Sequence, residues 1–361
     1  MMMWKKIGLG LIAAVASIVA VLVISAIWLS SLLDPDINTD LLKTSKPSDI
    51  AYLRDSLPAT RGKILAVVTS TSQIGKKKIG YELTELARAY YVFQANGYQV
   101  DIASPQGGKA PAILDDDDMA EFDYAFLNDT VAVNKINNTI PLANVDGEQY
   151  DAIYFVGGKG TMLDFPNNPH IHQLVKHFHQ QQKLIIAVCH GPAALSLVKL
   201  ADGTAFVNQK RISAFTNEEE LFLIPNAKEL FPFLLEDKLR AQGAIIEKGP
   251  RYLQQISQHD KLITGQNPWS VWAMAEASIR ELGFQTLPRE RTSEEISVDI
   301  LGHYEKHGYA KTKQYLQQFQ ANSIKRNLIA MHALVAAMSY QPAKVIELIG
   351  LLRAAKALAT T

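Results

Sequence analysis

The chain has 361 residues, 48% of them hydrophobic, which is enough for one large domain or two modest ones. Its 36 basic and 36 acidic side chains cancel, so no chain-wide field argues for nucleic acid or an acidic polymer as partner. A single cysteine excludes an intrachain disulfide framework and leaves the redox compartment open.

Lys5 and Lys6 precede a run without charge from Ile7 to Leu33, which Asp34-Pro35-Asp36 closes. As a helix that run is about 40 Å long, enough to cross a bilayer with some tilt. The sequence therefore predicts a cytoplasmic stub over 1–6 and a single-pass transmembrane anchor over 7–33. Lys5 and Lys6 stay on the cytoplasmic side by the positive-inside rule, which makes the remainder extracytoplasmic, and periplasmic in a bacterium. The alternatives are a helix buried in a core and a cleaved signal peptide, although the small-x-small pattern Ala14-Val15-Ala16 lies in mid-run. Residues 34–61 are polar, contain Pro47 and Pro58, and read as a linker.

Lys63 to Val68 is then a first buried strand. Tyr81 to Asn96 carries Leu83, Leu86, Ala87, Tyr90 and Tyr91 at helical spacing and stops at Gly97, as a helix with a terminal glycine does. Tyr98 to Ala103 is the second strand, so this region opens as a βαβ unit. Asp115 to Asp118 lacks the alternation and the glycine of a calcium loop and reads as a solvated cap of the next helix. Asp151 to Val156 is another strand, running into Gly157-Gly158-Lys159-Gly160. These glycines let backbone amides approach a reacting group, while Gly-x-Gly-x-x-Gly is absent. His170, His172, His177 and His179 fall on a helix where same-face pairs are seven apart, too far to pinch one ion, so no metal is expected.

Lys183 to Val188 leads into Cys189-His190-Gly191-Pro192 and a helix-like Ala193 to Lys199. Gly191 permits a tight reversal, and Pro192 suits a first helical position. Cys189 is thereby expected at a strand-to-helix corner, where free amides and the helix dipole favour an anionic, reachable sulfur beside His190. Ala187 stands where the serine-hydrolase elbow needs its first glycine, which excludes that family. A short strand over Arg211 to Thr216 precedes Asn217-Glu218-Glu219-Glu220, which by itself reads as a helix cap with acids in the first turn. A helical stretch from Pro225 to Gly243, paired strands at Leu253 to Ile256 and Lys261 to Thr264, and a helix from Pro268 to Leu282 follow.

This alternation predicts a doubly wound α/β sandwich over 62–287, a mainly parallel sheet covered by helices. Ligands in such folds lie beyond the carboxyl ends of strands, where Gly157 and Cys189 both fall. Residues 288–361 read as a C-terminal helical extension, with helices at Glu294 to Glu305, Ala310 to Phe319, Ser323 to Ser339 and Pro342 to Ala359, available to a second copy or a protein partner.

Three motifs between about Lys63 and Leu282 together resemble the ThiJ/PfpI superfamily, within the class I glutamine amidotransferase-like fold: Ala187 to Pro192; Gly80-Tyr81 with Glu85 and then Ser104-Pro105-Gln106-Gly107-Gly108; and Asp151 to Gly158. Within it the likeness is to the glutathione-independent glyoxalase and chaperone branch. The resemblance implies a lyase of the D-lactate dehydratase (glyoxalase III) type that needs no metal or organic cofactor. Cys189 would attack the aldehyde carbon of a 2-oxoaldehyde such as methylglyoxal, His190 would move protons, and Glu85 would carry a proton between the two carbons. The amides of Gly158 and His190 would hold the oxyanion. The acid completing the Cys-His pair falls on Glu220, with Glu219 and then Glu218 as alternatives, because three consecutive glutamates leave the register open and Asn217 stands where that branch has aspartate. The competing readings are a tethered holdase, a redox sensor in which Cys189 is oxidised to the sulfenate, and a PfpI-type cysteine peptidase. Ammonia transfer is disfavoured, because the downstream His259-Asp260 lacks the His-x-Glu spacing that amidotransferases use.

Overall fold

The structure, a computed structural model, describes residues 27–35, 39–115 and 118–358. They fall into two compact units, one spanning 38–290 and the other combining the preceding segment with the chain from 291 onward.

The larger unit is built on a seven-stranded sheet. Its strands are β1 (Gly62–Val67), β2 (Tyr98–Ser104), β3 (Ile140–Pro141), β4 (Ala152–Phe155), β5 (Leu184–Val188), β6 (Ile256–His259) and β7 (Leu262–Gly265). They lie in the order β6-β7-β5-β4-β1-β2-β3, all parallel except the β6–β7 hairpin. The central strands β4 and β5 are buried along their whole length, which is why they read as unbroken apolar runs. Helix α1 (Leu83–Ala95) packs with α4 (Val271–Glu281), and α2 (Pro169–Gln180) packs on β5. The main core joins Leu65, Val67, Ile153, Phe155 and Ile185 of the sheet to Ile171, Val175 and Phe178 of α2. Burial of each such side chain is worth about 1.5–3 kcal/mol. Helix α1 ends at Asn96, and Gly97 continues in the left-handed region at φ 84°, the conformation that makes glycine the usual residue there.

Several elements differ from expectation for identifiable reasons. The strand expected over Arg211 to Thr216 is only Arg211–Ile212, paired with Ile245–Ile246 outside the main sheet. Beyond it the amides serve other partners: Ser213 N donates to Thr264 Oγ1 (2.9 Å) and Phe215 N to Cys189 O (2.9 Å). The helix expected from Pro225 to Gly243 breaks into the turn Ala227–Leu230 and α3 (Leu235–Ala241) around Pro232, which cannot donate to a helix interior. Residues 39–61 carry short helical turns, tied down by Leu57 N to Ala95 O (2.9 Å) and by Asn96 Nδ2 to Tyr52 OH (3.0 Å). The acidic run lies partly outside the described residues, at 116–117, and the helix Glu121–Leu127 is capped by Asp123 through Ala120 N (2.9 Å).

The second unit consists of α5 (Ser293–Tyr315), α6 (Arg326–Met338) and α7 (Pro342–Ala357) together with residues 27–35. Thr292 and Glu295 close a capping box at the start of α5, and Gly308 kinks that helix at φ 77°.

Two expectations are corrected here. The predicted fold class included an N-terminal transmembrane helix over 7–33, and the predicted localisation was a single-pass membrane protein with its domain outside the cytoplasm. Residues 7–26 lie outside the described residues, and among the described residues no helix is long and apolar enough to cross a membrane. The turn from Ile27 stops at Ser30. Arg353 lies over the Trp28 ring within it, and beyond it Ser31 O accepts from Lys356 Nζ (2.6 Å) and Asp34 pairs with Arg326 (2.9 Å). Hydrocarbon does not accommodate such charged neighbours. The fold is thus an α/β unit with a mainly parallel sheet plus a helical unit, with no membrane-spanning helix among the described residues.

Candidate active site

Cys189 follows β5 directly and sits at φ 57°, a left-handed conformation that costs a non-glycine residue about 1–3 kcal/mol. Two backbone hydrogen bonds hold it there, from Cys189 N to Gly265 O and from Phe215 N to Cys189 O, both 2.9 Å. The chain then turns through Gly191–Leu195, a short 3-10 segment rather than the longer helix expected. Gly191 is required by proximity, since a Cβ there would lie 2.2 Å from Phe155 O at the end of β4.

The sulfur lies 3.4 Å from His190 Nδ1, and His190 Nε2 lies 2.5 Å from Glu220 Oε2. The Phe215 ring stands 4.6 Å from the imidazole, centroid to centroid. Burial raises the Glu220 carboxyl, but the charge and hydrogen bond of His190 outweigh it and hold Glu220 below the ordinary range. Its neighbours in the acidic run face elsewhere. Glu219 is fully buried, accepting from Thr216 Oγ1 (2.9 Å), Tyr252 N (2.9 Å), Gln266 Nε2 (3.0 Å) and Asn267 Nδ2 (2.9 Å), so it ties loops together. Glu218 is exposed and pairs with Arg251 (2.5 Å).

Glu85, on the first turn of α1, is fully buried. Its Oε2 accepts from Gly157 N (2.8 Å), its carbonyl accepts from Tyr154 OH (2.9 Å), and its carboxyl faces the Cys189 sulfur and Glu82. Burial, reinforced by the charge of Glu82, lifts this carboxyl well above the ordinary range. The Cys189 thiol is only 3% exposed, and burial with the charges of Glu85 and Glu82 pushes it well above an ordinary thiol. Burial among carboxyls thus opposes the reachable, pre-ionised thiolate that the corner suggested. One short turn supplies too little dipole to offset burial among carboxyls. The two shifts are coupled, however: a thiolate is tolerated when Glu85 carries the proton, because the repulsion then becomes a hydrogen bond.

Gly157 makes this approach possible, since a Cβ on it would meet Glu85 Oε2 at 2.5 Å, Val188 O at 2.7 Å and Cys189 Cβ at 2.8 Å. Gly158 and His190, the expected oxyanion donors, stand on the two strand ends that converge on the sulfur. Thr161 Oγ1 bridges their carbonyls, at 2.8 and 3.1 Å. The structure thus brings together Cys189, His190, Glu220, Glu85 and Gly158. Sequence reasoning missed Glu82, Lys159, Thr161 and Phe215. Of these, Glu82 and Lys159 lie within motifs that were read for their glycines and for Glu85, which is where a signal could have been found.

The four histidines of α2 do not converge: His172 Nε2 contacts Pro166 O (2.6 Å), and His177 lies 3.9 Å from Glu148. Among the described residues no group of three His, Cys, Asp or Glu side chains could hold a metal.

Comparison with known proteins agrees with this geometry. Residues 78–214, which include Glu85, the glycine turn and the cysteine corner, match the DJ-1/PfpI family. The glutathione-independent glyoxalase hsp3101 of Schizosaccharomyces pombe is 28% identical over 245 residues, covering 62% of this chain and 96% of that protein. Glyoxalase 3 of Candida albicans is 25% identical over 232 residues, covering 59% and 95%. Among solved structures, the Rapid Encystment Protein 24 KDa of Francisella tularensis is 34% identical with a TM-score of 0.59, covering 62% of this chain and all of that one. Neither these relatives nor the described residues support a bilayer or a homodimer as partner. With a relative more than 30% identical matched along its whole length, and the family pattern running through the turn and corner that meet at Cys189, the chain belongs to the DJ-1/PfpI family.

Proposed function

We propose that this chain is a glutathione-independent glyoxalase, converting a 2-oxoaldehyde such as methylglyoxal to D-lactate at Cys189. The observation that carries the reading is one sulfur held between two proton carriers. On one side His190 Nδ1 is 3.4 Å away and backed by Glu220; on the other is the buried, proton-retaining carboxyl of Glu85. The names of the curated relatives support it, and the chain spans nearly all of their length.

His190 takes the thiol proton, and Glu220 stabilises the imidazolium. The sulfur attacks the aldehyde carbon, an S–C bond forms, and the carbonyl pair moves onto oxygen, which takes the Glu85 proton to give a hemithioacetal. Glu85, now a carboxylate, removes the hydrogen from that carbon, and the electrons form an enediol as the neighbouring ketone oxygen takes the proton held by His190. Return of the proton from Glu85 to the second carbon, as the hydroxyl on the first carbon gives its proton back to Glu85, leaves a thioester, and delivery from one face sets one configuration. Water assisted by His190 then breaks the S–C bond, releasing the hydroxy acid and the thiol. The amides of Gly158 and His190 are the donors for the developing oxyanion.

The burial of Cys189 bears on the alternatives. A peptidase needs a groove that brings a peptide bond to sulfur, and an oxidant sensor needs an exposed, thiolate-rich cysteine; a 3% exposed thiol raised by burial suits neither. The test is D-lactate production by the full chain from methylglyoxal without glutathione. Cys189→Ala is expected to abolish turnover and Glu85→Gln to lower kcat by roughly 10²- to 10⁴-fold. A folded protein that makes no lactate would overturn the reading.

A further inference from the structure

The turn 157–160 and the corner after Cys189 each carry a buried amide with nothing to bind. Gly158 and His190 are both buried, and neither backbone N–H has a hydrogen-bond partner among the described residues. Buried amides are almost always paired, so two orphans on the strand ends that meet at one sulfur mark a place for a ligand oxygen. Two separate strand ends serve a single oxygen only when the gap between them is fixed.

The fold holds the turn from two sides. Toward the segment before α1, Glu82 N donates to Gly157 O (3.3 Å), Gly160 N donates to Gly80 O (3.2 Å), and a Cβ on Gly158 would lie 2.4 Å from Gly80 O. Toward the corner, the fully buried Thr161 shares one hydroxyl proton between two acceptors, Gly158 O at 2.8 Å and His190 O at 3.1 Å. These carbonyls belong to the same two residues whose amides are orphaned. Each carbonyl also has a backbone donor, Thr161 N on Gly158 O (3.1 Å) and Ala193 N on His190 O (3.0 Å). The hydroxyl is therefore not needed to satisfy either oxygen; it ties one strand end to the other.

We propose that Thr161 is a positioning residue for this site, its hydroxyl setting the gap between the Gly158 and His190 amides so that both reach the oxygen of an aldehyde carbon bound to Cys189. The assignment rests on the proposed reaction, and Thr161 acts through the two amides rather than on the substrate.

Thr161→Val keeps the shape of the side chain and removes the hydroxyl, whereas Thr161→Ser keeps the hydroxyl. In the full chain, Thr161→Val is expected to lower kcat for lactate formation from methylglyoxal by roughly 10- to 100-fold with a smaller change in KM, because displaced donors lose most where charge develops. Thr161→Ser is expected to recover most of that loss, which a side chain needed only for its volume would not allow. A second measurement needs no turnover. Cys189 is the only cysteine, so iodoacetamide labels this site alone. Propanal adds reversibly to a thiol but has no second carbonyl to isomerise, and its adduct protects the sulfur. Thr161→Val is expected to weaken that protection by roughly three- to ten-fold, the size of one hydrogen bond, while the labelling rate without propanal stays at the parent value. Should Thr161→Val fail to fold, Thr161→Ala carries the same expectations. Parental kcat and parental protection in a folded Thr161→Val would overturn the proposal, as would a loss that Thr161→Ser shares in full. Weakened protection restored by serine, in a protein whose parent makes no lactate, keeps the clamp and sinks the reaction; parental protection and kcat in Thr161→Val beside a parent that makes lactate does the reverse.

Discussion

The burial of Glu85 beside Cys189 has a consequence for stability as well as for turnover. Burial lifts the folded-state carboxyl of Glu85 above its unfolded value, so its contribution to stability is fully present below the unfolded value and is lost as pH rises through the folded one. A glutamine there has no proton to lose. Glu85→Gln is expected to match the parent melting temperature near about pH 4 and to exceed it increasingly toward about pH 8, as scanning calorimetry across pH would show. Stability gained at the expense of turnover is the trade expected of a catalytic carboxyl. Glu220→Gln removes the charge behind His190, and is expected to slow both turnover and iodoacetamide labelling of Cys189, turnover by roughly 10²-fold. Cys189, His190 and Glu85 were legible because each is fixed within a motif. Glu220 came first among the three acids by resemblance alone; the residues themselves did not separate it from Glu219, because Thr216 sets the phase of the short helix Asn217–Leu223 by capping it, and one residue of phase swaps the acid facing His190 for the acid facing Tyr252.

At the scale of elements, the site is the meeting of β4, β5 and α1 at one glycine. Gly157→Ala is expected to destabilise the fold by about 1–3 kcal/mol, because two of the three atoms nearest its Cβ, Val188 O and Cys189 Cβ, are fixed by the backbone. A lower urea midpoint with unchanged slope would show it, accompanied by loss of lactate production. The central strands were legible for the reason that makes them central, continuous burial on both faces. Less visible were the two-residue pairings, the 3-10 turn after Pro192 and the break at Pro232, where side chains and single prolines replace the regular backbone ladder.

For the whole molecule, the balance of 36 basic and 36 acidic groups leaves no net repulsion between copies at neutral pH. Light scattering at low salt is expected to show a solubility minimum within about one unit of pH 7. The apolar run that suggested a membrane span was misread in its last part by composition alone: Trp28 and Ser31, with Asp34 just beyond the run, meet Arg353, Lys356 and Arg326, partners some three hundred residues away that no local window contains.

Those same contacts set an order of events during synthesis. Residues 27–35 leave the ribosome first, the sheet and its cysteine corner follow, and the helices that embrace Trp28 and Asp34 arrive last. At about 5–20 residues per second, the early segment waits many seconds for its partners. During that interval Leu32, only 4% exposed in the folded chain, stands uncovered, making this the stage at which a nascent-chain chaperone has most to protect.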